Sequence, residues 1–305
     1  MTAPGAPTYA IGTWKCGDSG FSVPDVNGTA WGVHTNGTSG IWDGPGVTLN
    51  QTNFPNEDGA FRSENFRPPK AMSIIGWGAA TSIAGACASR RTFTGLLTGG
   101  GQSALTIVDI DGLTLTAMVE LADAPKITPG ALTWDFQLMM SAADPFLYGP
   151  AVSASTTLPV SGNGLDWVGP TTHGVDWTNA GAGGLFWGAG GSNGLVTLAN
   201  PGVHKAWPKF TINGPTTGTL VNPIIVNGVT GQMLFYTGTL SPGDVLVIDC
   251  NPRTRSILLN GLDYSKNLTT QQFFSISPGS SAAIQFQGTD VTLTSLLTAT
   301  LAPAY

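Results

Sequence analysis

Cys16-Gly17-Asp18-Ser19-Gly20 places a serine in the Gly-Asp-Ser-Gly surroundings that flank the nucleophile of chymotrypsin-like hydrolases. Such a serine works only with a histidine base and an orienting carboxylate. The partners that follow, His34 and Asp43, give an order of Ser, His, Asp that matches none of the familiar triads. The segment therefore reads as a turn. Asp109-x-Asp111 with Glu120 imitates part of a calcium loop, but Thr114 stands where that loop requires glycine. Asn251-Pro252-Arg253 matches part of the galectin sugar stretch His-x-Asn-Pro-Arg, with Asp249 in the histidine position.

The remaining candidates are scattered. His34, His173 and His204 have no second ligand at the spacing a zinc site uses. Cys16, Cys87 and Cys250 are distant and odd in number, which reads as small apolar residues rather than a metal site or disulfide framework. Glu57, Glu64 and Glu120 are the only glutamates, too few and too dispersed for a clear acid/base pair across a cleft. No glycine loop of the phosphate-cradling kind precedes a helix. The expectation is no catalytic residue, no cofactor and no metal, and hence no enzyme.

Elements must then carry the argument. The 305 residues include 42 glycines and 21 prolines, and only 10% of them are charged. About a quarter charged is usual, so disordered polyampholyte and coiled coil are excluded, while a 41% apolar share suffices for a core. The balance of 12 basic and 18 acidic residues disfavours a tight nucleic-acid partner, because phosphate contacts need clustered cations. No apolar run approaches the ~18 residues of a membrane span. The opening MTAPGAPTYAIG has neither a basic nor an apolar region of the signal-peptide kind.

Asn27-Gly28, Asn36-Gly37, Asp43-Gly44 and Asp58-Gly59 predict tight turns, with Trp31, Val33, Ile41, Trp42 and Phe61 buried between them. Residues 71–78 read as a buried strand. The period then changes, and a single helix is predicted from Thr81 or Ser82, with Ile83, Cys87, Phe93, Leu96 and Leu97 on its inner face. Alternation returns in a hairpin around Asp111-Gly112 and in the strand through Leu132, Trp134, Phe136, Leu138 and Met140, which Asp144-Pro145 closes.

Residues 148–194 are the least regular. Seven glycines surround Leu185-Phe186-Trp187 between Asn179 and Gly194, which suggests an arm whose aromatic tip, Phe186 and Trp187, docks on a neighbouring subunit. From Leu195 onward, short strands recur every 8–12 residues or so, as in a β-sandwich. Expected strands include Lys209–Ile212, Ile224–Val226, Met233–Tyr236, Val245–Ile248, Ser256–Leu259, Phe273–Ile276, Ala283–Phe286 and Val291–Ala299, with turns at Asn227-Gly228 and Asn260-Gly261.

Two stretches in this order resemble the distal tail, or minor tail, proteins of long-tailed bacteriophages with non-contractile tails, in particular those of actinobacteriophages. The first runs from WGVHTNGTSGIWDGPGVT through DGAFRSENFRPPKAMSIIGWG, with Phe66-Arg67 ahead of Ile74-Ile75-Gly76, to WDFQLMMSAADPFLYG, with Asp144, Pro145 and Tyr148. The second comprises AWPKFTINGP, NPIIVNG, TLSPGDVLVID, RTRSILLNG and FFSISPGSSAAIQF, with Gly243-Asp244 and Asn260-Gly261 as the matching turns.

The resemblance implies a mainly β protein: residues 1–148 as a β-sandwich-like ring domain with one helix, and residues 149–305 as a galectin-like β-sandwich. It further implies a homohexameric ring at the virion tail tip, assembled in the host cytoplasm. That ring would join the tail tube protein to the hub, the tape-measure protein and the adsorption apparatus of receptor-binding proteins or host glycans. DNA would pass through the lumen. The competing expectation is a carbohydrate-binding adhesin module with Trp167, Trp177 and Trp187 as stacking platforms.

Overall fold

The computed structural model describes residues 15–16, 19–20, 28–44, 46–95, 100–109, 111–161, 191–290 and 292–305. The chain divides into two compact units, Met1–Gly149 and Pro150–Tyr305. Both are built from strands, with one α-helix among the described residues.

The first unit contains β1 (Lys15–Cys16), β2 (Ser19–Gly20), β3 (Thr29–Ser39), β4 (Gln51–Asn53), β5 (Ala60–Arg62), β6 (Lys70–Ala80), α1 (Ile83–Thr94), β7 (Ser103–Val108), β8 (Thr114–Leu121), β9 (Lys126–Pro129) and β10 (Thr133–Ala142). Its main sheet has the order β2, β1, β7, β8, β10, β6, β3, with β9 also on β10, while β4 and β5 form a separate ribbon. The alternation predicted for β7, β8 and β10 is largely observed: Leu105, Ile107, Leu115, Ala117, Val119, Trp134, Phe136, Leu138 and Met140 all face inward and are buried, whereas Leu132, expected in the same series, precedes β10 and is exposed. The β1 and β2 strands pair antiparallel, Cys16 with Ser19, as a turn reading of that segment requires.

Glycine spacing makes room for the aromatic core. Gly76 and Gly78 of β6 lie opposite Phe136 and Trp134 of β10. A Cβ at Gly76 would stand 2.5 Å from the Phe136 ring, and one at Gly78 would stand 2.4 Å from the Trp134 ring. Trp31 meets Trp134 and Phe136 edge-on at 5.4 and 5.7 Å and stacks on Phe93 of α1 at 5.7 Å, geometries that suit aromatic quadrupoles.

The helix begins where expected, with Ser82 as N-cap accepting from Gly85 N–H. Of the predicted face, Phe93 is buried as expected and Cys87 half-buried, but Ile83 is exposed; the buried residues are Ala86, Ser89 and Phe93. Small residues are needed there because α1 lies close to β3, where Ser89 and Thr29 hydroxyls bond at 2.8 Å. Leu96 and Leu97 lie outside the described residues. Three further expectations are corrected. Asn36-Gly37 is no hairpin turn: it sits within β3, where the register on β6 shifts between Val33 and Thr38. Trp42 and Phe61, expected inside, are exposed, and so is Ile75 of the strand expected to be buried.

The second unit contains β11 (Val152–Thr157), β12 (Leu195–Ala199), β13 (Lys209–Asn213), β14 (Leu220–Asn227), β15 (Met233–Tyr236), β16 (Thr239–Leu240), β17 (Val245–Asp249), β18 (Ser256–Leu259), β19 (Leu262–Asp263), β20 (Leu268–Gln271), β21 (Ser281–Asp290) and β22 (Leu296–Leu301). One sheet has the order β11, β22, β13, β17, β18, β19, and the other β12, β21, β14, β15, β20 with β16 on β14. Inward residues of both, among them Phe210, Ile248, Leu297, Ile225, Leu234 and Phe286, form a single core, which makes the unit a β-sandwich. Three strand expectations are corrected. The strand expected over Val291–Ala299 begins only at Leu296 and runs to Leu301, because Thr292–Ser295 form a turn. Phe273–Ile276 pairs only through a bridge from Ile276 to Ala206, and β11 lies within the stretch expected to be least regular.

The turn between β21 and β22 is organised by Asp290. Its buried carboxylate accepts from Thr292 N–H and Oγ1 (both 2.8 Å) and from Ser295 Oγ and N–H (2.7 and 3.1 Å). Burial opposes the charge, but these bonds prevail and hold the carboxyl at about 2. An unfolded aspartate titrates near ~3.9, so the associated stability is complete above that pH and is lost as pH falls toward the folded value. Asp290→Ala should cost about 2–4 kcal/mol, because buried donors lose their acceptor. Urea unfolding at neutral pH checks this, and the deficit against the parent protein should shrink between about pH 4 and 2.

Candidate interaction surfaces

Between Ile41 and Lys70 the chain leaves the first unit's main sheet and returns as a two-legged arm. Its root is fixed: the buried Lys70 ammonium donates to Ile41 O at 2.8 Å, and Gly40 N–H donates to Asp43 Oδ2 at 3.0 Å. Burial lowers the Lys70 pKa, and the neighbouring Asp43 carboxylate partly opposes this. The legs are tied by Thr48 N–H to Phe66 O (2.8 Å), Ser63 N–H to Asn50 O (3.0 Å) and the β4–β5 ladder. Phe54 and Phe61 meet edge to face at 4.3 Å. The arm nevertheless leaves Val47, Leu49, Phe61 and Phe66 53–64% exposed. A lone two-stranded ribbon is marginal in water, and apolar side chains clustered on one mark a contact surface.

The motif positions singled out in the sequence fall into two groups. Phe66 is in the arm's returning leg, where its carbonyl accepts from Thr48 N–H. Arg67 lies over the Phe146 ring at 5.5 Å, beside the segment where the Tyr148 hydroxyl donates to Asp144 Oδ2 at 2.7 Å. Pro145 is buried, and Tyr148 exchanges two 2.8 Å backbone bonds with Thr116, which pins the end of the unit to β8. Gly243, Asp244, Asn260 and Gly261 come together in the second unit. Asn260 Nδ2 donates to Asp244 Oδ1 at 2.8 Å, and Asn260 Oδ1 accepts from Val245 N–H at 2.9 Å. Asn260, at φ 52°, and Gly261, at φ 82°, form the tight turn joining β18 to β19. Hydrogen bonds from Asn260 and from Ser241 N–H hold the Asp244 carboxyl below its ordinary pKa. This is a clasp between two turns. Asn260→Ala should lose about 1–2 kcal/mol in chemical denaturation, combining the lost bonds with a strained backbone.

A cleft of about 440 Å³ opens on the outer face of the first unit's sheet, between β3, β6 and the β9–β10 hairpin. His34 Nε2 meets Asp135 Oδ1 there at 3.2 Å, beside Trp77. His34 looks isolated in the sequence because this partner lies 101 positions away.

Other residues weighed for chemistry are structural. Asp109 and Asp111 shape the β7–β8 turn, with Leu113 N–H bonding Asp111 Oδ1 at 2.8 Å. Asp249 accepts from Asn251 N–H and Thr254 Oγ1 in the Asn251-Pro252-Arg253 turn. Burial pushes the Cys250 thiol up to about 12, which leaves it inert. Among the described residues no cluster of three His, Cys, Asp or Glu side chains could hold a metal. His173, Trp167, Trp177, Phe186 and Trp187 lie outside the described residues.

Residues 201–295 match the family model of the siphovirus-type tail component, C-terminal domain. A search of curated proteins finds no match to the chain. Among solved structures, the Dit protein (gp 19.1) of phage SPP1, described as a paradigm of the hub adsorption apparatus in Gram-positive infecting phages, aligns with a TM-score of 0.59 at 12% identity, covering 96% of this chain and 98% of that one. The phage P2 baseplate in its activated conformation aligns more weakly. With calcium the TM-score is 0.44 at 10% identity, over 83% of this chain and 86% of that one. With strontium it is 0.45 at 11%, over 91% and 98%. The resemblance to distal tail proteins is thus supported on two counts: residues 201–295 match the siphovirus-type tail component, C-terminal domain, and the chain's fold is like that of the SPP1 Dit protein.

Proposed function

We propose that this chain is a non-enzymatic structural protein of a phage tail tip. Six copies form a ring that joins the tail tube to the hub and adsorption apparatus, and DNA passes through its lumen. Residues 1–148 build the ring, and residues 149–305 project as a galectin-like sandwich toward receptor-binding proteins or host glycans. The observation that carries this reading is the tail component domain at residues 201–295. The arm supplies a means of association, since its exposed apolar residues suit the centre of a subunit contact. The low overall charge agrees with extensive contacts of that kind. Phe186 and Trp187 add a second contact to a neighbour.

Native mass spectrometry with negative-stain imaging tests this. Six-fold rings are expected for the purified protein, alone or with its tube and hub neighbours. A strict monomer in both settings overturns the ring. Replacing Phe186 and Trp187 by Ser in the same assay is expected to weaken assembly.

A further inference from the structure

We propose that the cleft beside Trp77 is a subsite for a neutral pyranose ring of a saccharide. The platform follows from strand register. Gly32 of β3, Trp77 of β6, Asp135 of β10 and Thr128 of β9 lie in one row across four strands. A Cβ at Gly32 would meet Cε2, Cζ2 and Nε1 of Trp77 at 2.6, 2.7 and 2.8 Å. Near-equal distances to three consecutive ring atoms mean that the indole lies broadside over Gly32, with its opposite face turned away from the sheet. Any larger residue at position 32 would lift the ring. Glycine therefore fixes a flat apolar surface on the outer side of a sheet, where core packing does not require one.

Polar groups converge beside this surface. Asp135 is 62% exposed and engages His34 through Oδ1 only. Its carboxylate is positioned to accept from vicinal hydroxyls, while Thr128, Pro129, Gly130, Thr133 and Trp134 line the rest of the cleft. A pocket of this volume holds roughly one or two sugar rings.

Charge selects the ligand class. The cations nearby are engaged: Arg90 donates to Gly130 O at 2.9 Å, and Lys126 pairs with Asp123 at 2.9 Å. Phosphate or a nucleotide would find a carboxylate and, among the described residues lining the cleft, no uncommitted Lys or Arg, which disfavours both. A purely apolar ligand would leave the His34–Asp135 pair unused. A ring with one apolar face and a rim of hydroxyls satisfies platform and rim together.

Saturation-transfer NMR on the full chain tests the proposal, with methyl glycosides of glucose, galactose, rhamnose and N-acetylglucosamine as probes and cytidine as the stacking control. At least one glycoside is expected to bind with a Kd of about 1–10 mM, and cytidine more weakly. Trp77→Ala should weaken binding at least about tenfold, and Asp135→Asn, which preserves shape, about fivefold. Trp207→Ala, in the second unit, should leave it unchanged. No glycoside binding, binding indifferent to both Trp77→Ala and Asp135→Asn, or preference for cytidine each overturns the assignment.

Discussion

Gly76→Ala is expected to cost the first unit about 3–5 kcal/mol, a large part of the stability of a domain this size. The added methyl would stand 2.3 Å from Gly32 O and 2.5 Å from the Phe136 ring. The first contact is with backbone of β3, which cannot rotate away, and the second is with a ring confined among Trp31 and Phe93. Overpacking of this kind forces strands apart. Gly78→Ala should be nearly as damaging, but its nearest contacts, at 2.4–2.8 Å, are all on the Trp134 side chain. Combining it with Trp134→Leu should therefore recover part of the loss, whereas no side-chain replacement at Phe136 should fully rescue Gly76→Ala. Gly44→Ala and Gly101→Ala, where an added Cβ meets nothing within 4 Å, should stay within about 0.5 kcal/mol of the parent. Urea unfolding followed by tryptophan fluorescence checks all four. A Gly76→Ala protein as stable as the parent would falsify the close approach.

Phe61→Ser with Phe66→Ser should prevent the proposed ring from assembling at micromolar concentration while leaving the monomer folded. Both rings are more than 60% exposed, so the isolated chain loses little beyond the Phe54–Phe61 contact. Burial of a phenylalanine at an interface contributes about 1.5–3 kcal/mol, so two removals weaken each subunit contact by roughly 10²–10⁴-fold. Sedimentation velocity with circular dichroism separates the cases. Rings that persist with normal spectra would show that the arm is not the seam. Loss of both rings and native spectra would assign the residues to folding instead.

The parts of this fold legible in the sequence are those where local pattern and tertiary environment agree. Leu105 to Val119 and Trp134 to Met140 alternate because one face of their sheet is buried, and Asn260-Gly261 takes the positive φ that its composition favours. Illegible parts depend on partners distant in the chain. The helix is phased by Ala86 and Ser89, small residues that carry no hydrophobic signal yet permit close approach to β3. Trp42 and Phe61 look like core residues, since an apolar side chain carries no mark of whether its own fold or a neighbour covers it. Phe273–Ile276 has a strand's composition but lacks a strand to pair with over its length. The Trp77 cleft leaves no local signal in the sequence because His34 and Asp135 meet only through the register of β3 and β10 on either side of β6.

The clamp at the base of the arm has a mechanical meaning. One leg of the arm continues from β3 and the other enters β6, two strands paired antiparallel, so tension on the arm pulls both along their axes in the same direction. That load passes to β10, paired with β6 over ten residues from Lys70 to Ala79. Inter-strand hydrogen bonds run across the strands, so a pull along them strains the whole ladder in shear rather than peeling one bond at a time. The Lys70 ammonium on Ile41 O shares the tension between the two legs before it reaches the sheet. A subunit held by its arm would thus resist extraction with the strength of its longest ladder.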